Sequence, residues 1–329
     1  GPAPVPLARY LEIAAAQSVR NRRVAQERMR DAFKDLVLDP EMLDRLGPSM
    51  NSGKAIFVYG HAGTGKTYVT QRLARLFDDS VLVPHAIAVG ETVIQLFDPT
   101  LHKPIEYPEP AVLLQDGHDP RFVRCRRPVV ITGGELGPDM LEVQYDPATR
   151  QYRAPLQLKA TNGMFILDDL GRQRVAPEVV LNRWIVPMEE GRDYLSLGTG
   201  QHFSVLFDVI LIFSTNLDPL ELADEAFLRR IGYKLRFDHL TPAYYHAIWS
   251  QVCAARGVPC DPDVCQFVID ELHGRRGVPL LPCHPRDLIG IALDRADYLG
   301  ATDRLTRESL RWAWDNYFVR LDAPPSAGN

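Results

Sequence analysis

"AIFVYGHAGTGKTYVT", residues 55 to 70, changes character twice over a short span. Ala55 to Tyr59 is an apolar, β-branched and aromatic run that reads as a strand ending at Gly60. Gly60, Gly63 and Gly65 then free the backbone to turn tightly. From Lys66 to about Phe77, the spacing of Val69, Leu73 and Leu76 gives a helix with one apolar face. Residues 60–67 match G-x-x-x-x-G-K-[ST], placed after a strand and at the opening of a helix, as the chemistry requires. Backbone N–H groups from Gly60, His61, Ala62, Gly63, Thr64 and Gly65 are expected to cradle phosphates, aided by the positive end of the helix. Lys66 would reach the β- and γ-phosphates, and the Thr67 hydroxyl would bind Mg²⁺. A complete motif in this context argues against a glycine-rich turn that binds nothing. ATP and Mg²⁺ are therefore the expected cofactors.

A second stretch, "GMFILDDLGRQR" at 163–174, ends an apolar strand in two carboxylates. Burying an unpaired charge costs several kcal/mol, so the pair belongs at an exposed strand tip. A nucleotide on one strand's loop needs a metal-organising acid at the tip of a neighbouring strand. Asp168 suits that role through the water shell of Mg²⁺, and Asp169 is placed to orient the attacking water. A capping turn at Leu170-Gly171 would explain one carboxylate but not both. "VILIFSTN" (209–216) ends in Asn216, whose amide is positioned for the γ-phosphate or the lytic water, although Asn at a strand end is also a common turn former. "DEAFLRRIGYKLRF" (224–237) carries Arg229 and Arg230, a residue type suited to neutralising charge on a transferring phosphoryl group or to pairing on the surface.

Strands at 55–60, 81–89, 164–169 and 209–216, alternating with helical segments, predict an α/β fold with a parallel sheet covered by helices on both faces. The 102 positions between Lys66 and Asp168 exceed what one helix and one strand need, so residues 98–160 read as a β-rich insertion. Within it "RPVVITGGE" reads as a short strand and "LEVQYDPATRQYRAPLQL" as a hairpin. Residues 1–40 form an expected N-terminal helical segment, and 41–239 the nucleotide-binding domain. Four helical stretches opened by capping or Pro signals make 240–322 an all-helical domain. Residues 323–329 are expected to be disordered.

The 329 residues are 46% hydrophobic and 24% charged with net charge −5, an ordinary globular balance that argues against a general nucleic-acid binder. The helix region with Arg20, Arg22, Arg23, Arg28 and Arg30 is locally basic, and a solvated face explains it better than a nucleic-acid arm. No apolar run approaches the roughly 18 residues needed to span a membrane. The opening residues do not read as a signal peptide, and Gly1-Pro2 has the look of a protease scar. Five cysteines, an odd number, fit reduced thiols in a cytoplasmic protein. Cys260, Cys265, Cys283 and His284 lack the paired C-x-x-C spacing of a zinc site.

In order along the chain, these motifs resemble the AAA+ ATPases. "GHAGTGKT" is similar to Walker A, "FILDDL" to Walker B, "FSTN" to sensor 1, "FLRRI" to the arginine-finger region and "HPRDL" to sensor 2. The resemblance covers roughly residues 40–321 and implies ATP hydrolysis in a ring, expected to be a hexamer. It implies that Arg286 contacts nucleotide from a C-terminal helical lid, and that Arg230, with Arg229 as understudy, acts across a subunit boundary. The glycine lead into "FILDD", the helix ending in "PMEE" and the "DYLSLGTGQHFSVLFD" hairpin resemble the MoxR, magnesium-chelatase and enhancer-binding-activator branch. In that branch such insertions line the pore or face the client, so a protein client to be remodelled is implied. The chain departs from the family in placing Asp169 where Glu is usual, one methylene shorter, which points to slow turnover. The alternatives are a nucleic-acid-acting motor or loader and a weakly hydrolysing ATP-dependent switch or scaffold.

Overall fold

The computed structural model describes residues 2–105, 119–148, 150–302 and 304–318. The chain divides into two compact units. The first holds residues up to Asp35, Asp39–Gly60 and Lys66–Arg236. The second holds Leu36–Leu38, His61–Gly65 and the chain from Phe237.

At the centre of the first unit is a five-stranded sheet in the order Tyr233–Phe237, Ile56–Gly60, Val209–Thr215, Gly163–Leu167, Val129–Thr132. The last four strands pair in parallel, with Phe57 level with Phe213, Phe213 with Leu167, and Leu167 with Thr132. Every residue of Gly163–Leu167 and of Val209–Thr215 is buried. Such strands need cover on both faces. One face sends Phe57, Phe165, Leu167, Leu211 and Phe213 into a core with Val180, Leu181, Trp184, Phe227 and Leu228, where Trp184 lies 5.1 Å from the Phe165 ring. Against the sheet the helix Lys66–Leu73 packs on Ile56–Gly60 and Val209–Thr215. Each fully buried Phe or Ile here is worth about 1.5–3 kcal/mol. The fold is α/β, as the sequence predicts.

The sequence expectation is corrected in two places. The acidic strand is not the immediate neighbour of the loop strand, because Val209–Thr215 lies between them. The sheet's remaining parallel member is not 81–89 but Val129–Thr132, which falls inside the supposed 98–160 insertion. Residues 81–89 instead divide between Ser80–Pro84, antiparallel to Phe122–Arg126, and Ala86–Val89. The latter joins a second five-stranded sheet with Val5–Pro6, Thr92–Gln95, Gln151–Arg153 and Gln144–Asp146. In the N-terminal segment Leu7–Ala16 and Gln26–Phe33 are helical, and residues up to Asp35 belong to the first unit. Val5, Tyr10 and Ala14 bury into a core with Val81, Ile87, Ile94, Leu195 and Val205, and Val5 pairs in parallel with Ile87. The two expected hairpins are present, one joining Gln144–Asp146 to Gln151–Arg153 and the other Arg192–Ser196 to His202–Leu206.

A buried polar hub anchors the N-terminal segment to the sheet. Asp208 accepts hydrogen bonds from the Ser18 hydroxyl (2.6 Å), the Val19 amide (2.9 Å) and the Asn162 amide group (2.6 Å). The Arg127 guanidinium pairs with Asp79 and donates to the carbonyls of Gln17 and Asn162.

The second unit contains the expected C-terminal helices. Pro242–Arg256 begins at a Thr241 cap and ends at left-handed Gly257. Pro262–Phe267 is capped by Asp261 and continues into a π-helical stretch, Val268–Gly274. Cys283–Leu299 and Arg307–Tyr317 follow, the latter opened by a Thr306/Ser309 capping box. Their core is built on Tyr245, Trp249, Leu288, Leu310 and Trp314. Among the described residues, no helix is long and apolar enough to cross a membrane. The 323–329 tail and residues 106–118 lie outside the described residues.

Two histidines in that core make it acid-sensitive. His273 Nδ1 lies 3.1 Å from the Val278 carbonyl, which only accepts, so Nδ1 carries the proton and Nε2 faces the Tyr245 hydroxyl. Burial pulls His273 down to about 4. Burial, reinforced by His273, pulls His284 down to about 4 as well. The unfolded chain, with histidines near the ordinary 6.5, takes protons first as pH falls, so stability is complete above about 6.5 and is lost towards 4. Fluorescence of Trp249 and Trp314 should report a lower unfolding midpoint at pH 5 than at pH 7.5, an interval that narrows in His273→Gln.

Gly163 shows how closely the edge strand approaches. A Cβ there would sit 2.0 Å from the Pro128 carbonyl oxygen, the atom that accepts the Met164 amide at 2.9 Å. Gly163→Ala should cost about 3 kcal/mol by overpacking and lower the thermal midpoint by several degrees.

Candidate functional site

The sheet brings the singled-out side chains of the first unit together at the ends of its strands. Thr67, on the first turn of its helix, donates its hydroxyl to Asp168 Oδ2 at 2.7 Å although the two are 101 residues apart. Asn216 Nδ2 donates to Asp169 Oδ1 at 3.3 Å. Lys66 is 5% exposed and its ammonium donates to the Gly60 carbonyl at 2.7 Å. Burial pulls the Lys66 pKa below its ordinary value, against the opposing pull of Asp168 and Asp169. A hydroxyl beside a carboxylate at this spacing suits Mg²⁺, which takes one or two carboxylates, keeps waters and completes its octahedron with phosphate oxygens. Thr67 and Asp168 are the residues that could hold it.

Asp169 is held in a left-handed conformation, φ 50°. Few residue types other than Gly, Asn and Asp tolerate this. The Asp168 carboxylate secures it by accepting the Asp169 amide at 3.0 Å. Beyond it, Leu170 donates its amide to the Ser214 carbonyl (2.9 Å) and the Thr215 hydroxyl donates to the Leu170 carbonyl (2.7 Å), fixing the acidic turn to the neighbouring strand. Sequence reasoning missed Gln173, whose amide group bridges this turn to Gly133. A polar residue four positions beyond the second acid was the only signal, and polar residues are common in turns.

In the second unit the loop residues His61–Gly65 have their own contacts. The His61 ring stacks on His239 at 4.7 Å, and the Thr64 hydroxyl donates to the His61 carbonyl at 2.8 Å. Gly63 has φ 80°, and a Cβ there would meet Cys283 Sγ at 3.0 Å. Gly60 and Gly65 also have positive φ, and Ala62 lies between these turns. Arg286, near the start of Cys283–Leu299, is exposed and pairs with Asp287 at 2.9 Å.

The two arginines pair with glutamates and differ from each other. Arg230 pairs with Glu189 at 2.5 Å and donates to the Ala226 carbonyl at 2.7 Å. Arg229 has a side chain 79% exposed, with Glu225 of its own helix 3.2 Å away. Among the described residues no group of three or more His, Cys, Asp or Glu side chains could hold a metal ion.

A family model described as a domain of unknown function, DUF8689, matches residues 241–316. No curated protein matches the chain. Among solved structures, the chain is similar to the Thermotoga maritima RuvB Holliday junction branch migration motor at 13% identity and TM-score 0.47, covering 88% of this chain and 68% of that one. It is also similar to NtrX from Brucella abortus at 11% identity and TM-score 0.47, covering 92% of this chain and 57% of that one. The chain thus spans a little over half the length of NtrX. The functional reading rests on the geometry of the site itself.

Because Asp169 is held with positive φ, Asp169→Gly should leave folding stability within about 1 kcal/mol of the parent. Asp169→Val, a β-branched residue in the same conformation, should cost about 2 kcal/mol. Chemical denaturation of the three proteins compares them directly.

Proposed function

We propose that the chain is an AAA+ ATPase that couples ATP binding and hydrolysis to the remodelling of a protein partner, acting as a ring expected to be hexameric. The observation that carries this is the Thr67–Asp168 hydrogen bond, which joins the first turn after the glycine loop to the tip of a strand that is not its neighbour. In this reading residues 60–67 cradle the phosphates, Lys66 turns from Gly60 to the β- and γ-phosphates, and Thr67 and Asp168 hold Mg²⁺. The metal supplies charge neutralisation for phosphoryl transfer. Asp169 accepts a hydrogen bond from the attacking water, Asn216 steadies Asp169 and the γ-phosphate, and Arg286 contacts the nucleotide. The short reach of Asp169 and its fixed backbone support slow turnover.

The trans-acting role falls to Arg229 or Arg230. Arg229 is the more exposed, whereas Arg230 would first have to leave Glu189. Within the 98–160 insertion, the surface proposed for the client or the pore, Tyr145 is exposed. A nucleic-acid motor draws less support. Of the five arginines between 20 and 30, Arg20 faces Asp208, Arg22 pairs with Asp79 and Arg28 with Asp78, which offsets most of that region's positive charge.

Calorimetry should detect ATP binding to the parent chain and a loss of affinity of at least about tenfold in Lys66→Ala, where a charge-assisted phosphate contact is gone. Asp168→Asn should bind nucleotide and lose Mg²⁺-dependent hydrolysis. Mixing Lys66→Ala subunits with Arg229→Ala or Arg230→Ala subunits should restore activity for whichever arginine acts across the boundary. No recovery at any ratio for either would exclude action in trans.

A further inference from the structure

We propose that Gln173 is a positioning residue for Asp169, locking the acidic turn to the end of the edge strand Val129–Thr132. The inference rests on the reading of Asp169 as the group that orients water. Gln173 is 9% exposed, and its side chain is engaged with main chain. Its Oε1 accepts the Gly171 amide at 2.9 Å, while Nε2 donates to the Gly133 carbonyl at 3.1 Å and to the Asp169 carbonyl at 3.3 Å. One planar amide therefore fixes the peptides on both sides of Leu170 and ties them to the chain leaving the edge strand.

The geometry needs such a tie. Asp169 has φ 50°, and its side chain receives a 3.3 Å hydrogen bond from Asn216, near the long end of the useful range. With so light a hold on the carboxylate, its direction is set by the backbone beneath it. Gly133 and Gly134 carry no side chains to brace the turn from the other side. A Cβ on Gly134 would come within 3.2 Å of the Arg172 carbonyl, so the two segments already touch. Without the amide, the Gly171 N–H loses the Gln173 acceptor and the Gly133 carbonyl keeps only the Leu136 amide at 3.2 Å, so the turn is less firmly held in the left-handed conformation.

Gln173→Ala and Gln173→Glu test this. In Gln173→Ala, kcat for ATP should fall at least about tenfold while KM stays within about twofold, since nucleotide contacts are untouched. In Gln173→Glu, the ionised carboxylate keeps the acceptor and loses the donor; once protonated, it donates again. The activity of Gln173→Glu relative to the parent should therefore rise several-fold between pH 8 and pH 5.5, while that of Gln173→Ala stays flat. A kcat close to the parent's in Gln173→Ala, or equally flat profiles for both variants, would overturn the proposal. Should the parent chain fail to hydrolyse ATP, the functional reading fails first, and amide hydrogen exchange decides the positioning role separately. Exchange across 168–173 should then be at least about tenfold faster in Gln173→Ala with the 242–317 helices unchanged, and equal exchange in the two proteins would refute it.

Discussion

The molecule turns on one constraint: a hydroxyl at the start of a helix must meet a carboxylate at the end of a strand two places away in the sheet. The 2.7 Å contact between Thr67 and Asp168 exists only because Val209–Thr215 holds both outer strands in register. That strand is buried along its whole length, so a slip of one residue would turn its entire set of side chains to the opposite face. The register that buries Phe213 between Phe57 and Leu167 is thus the register that aligns the chemistry. Packing and function are fixed by the same hydrogen-bond ladder.

Around this sheet the chain uses its charges for anchoring. Asp208 follows the 192–206 hairpin and gathers Ser18, Val19 and Asn162, while Arg127 precedes the edge strand and gathers Asp79, Gln17 and Asn162. Buried charges of this kind are tolerable because nearly every oxygen and nitrogen finds a partner. The result ties the N-terminal segment and the second sheet to the parallel core. Of the arginines between 20 and 30, Arg20, Arg22 and Arg28 face or pair with Asp208, Asp79 and Asp78 while staying partly exposed.

The acidic turn carries the opposite kind of cost. A left-handed Asp and two backbone carbonyls converging on one amide are local compromises that neighbouring structure must hold in place. They collect at the carboxyl end of Gly163–Leu167, where the acidic turn leaves the sheet. Tertiary contacts from Ser214, Thr215, Asn216 and Gln173 supply that restraint.

Local features were legible from residues alone. The loop at 60–67, the acid pair at 168–169, the Asn216 strand end, both hairpins and the C-terminal helices each depend on chemistry within about a dozen neighbours, where propensity, turn residues and capping act. What residues alone could not show was decided by long-range pairing. "VVIT" at 129–132 and "VLVP" at 81–84 have similar apolar β-branched patterns, and nothing local says which one joins the parallel sheet. The same holds for Val5–Pro6, too short to read as a strand until Ile87 and Ala88 pair with it. How the arginines between 20 and 30 are partnered, and that a glutamine four residues past the acids would brace them, depends on groups from distant parts of the chain. Sequence determines which groups can do the chemistry. Only the folded register, held by buried surface across three strands, determines which of them meet.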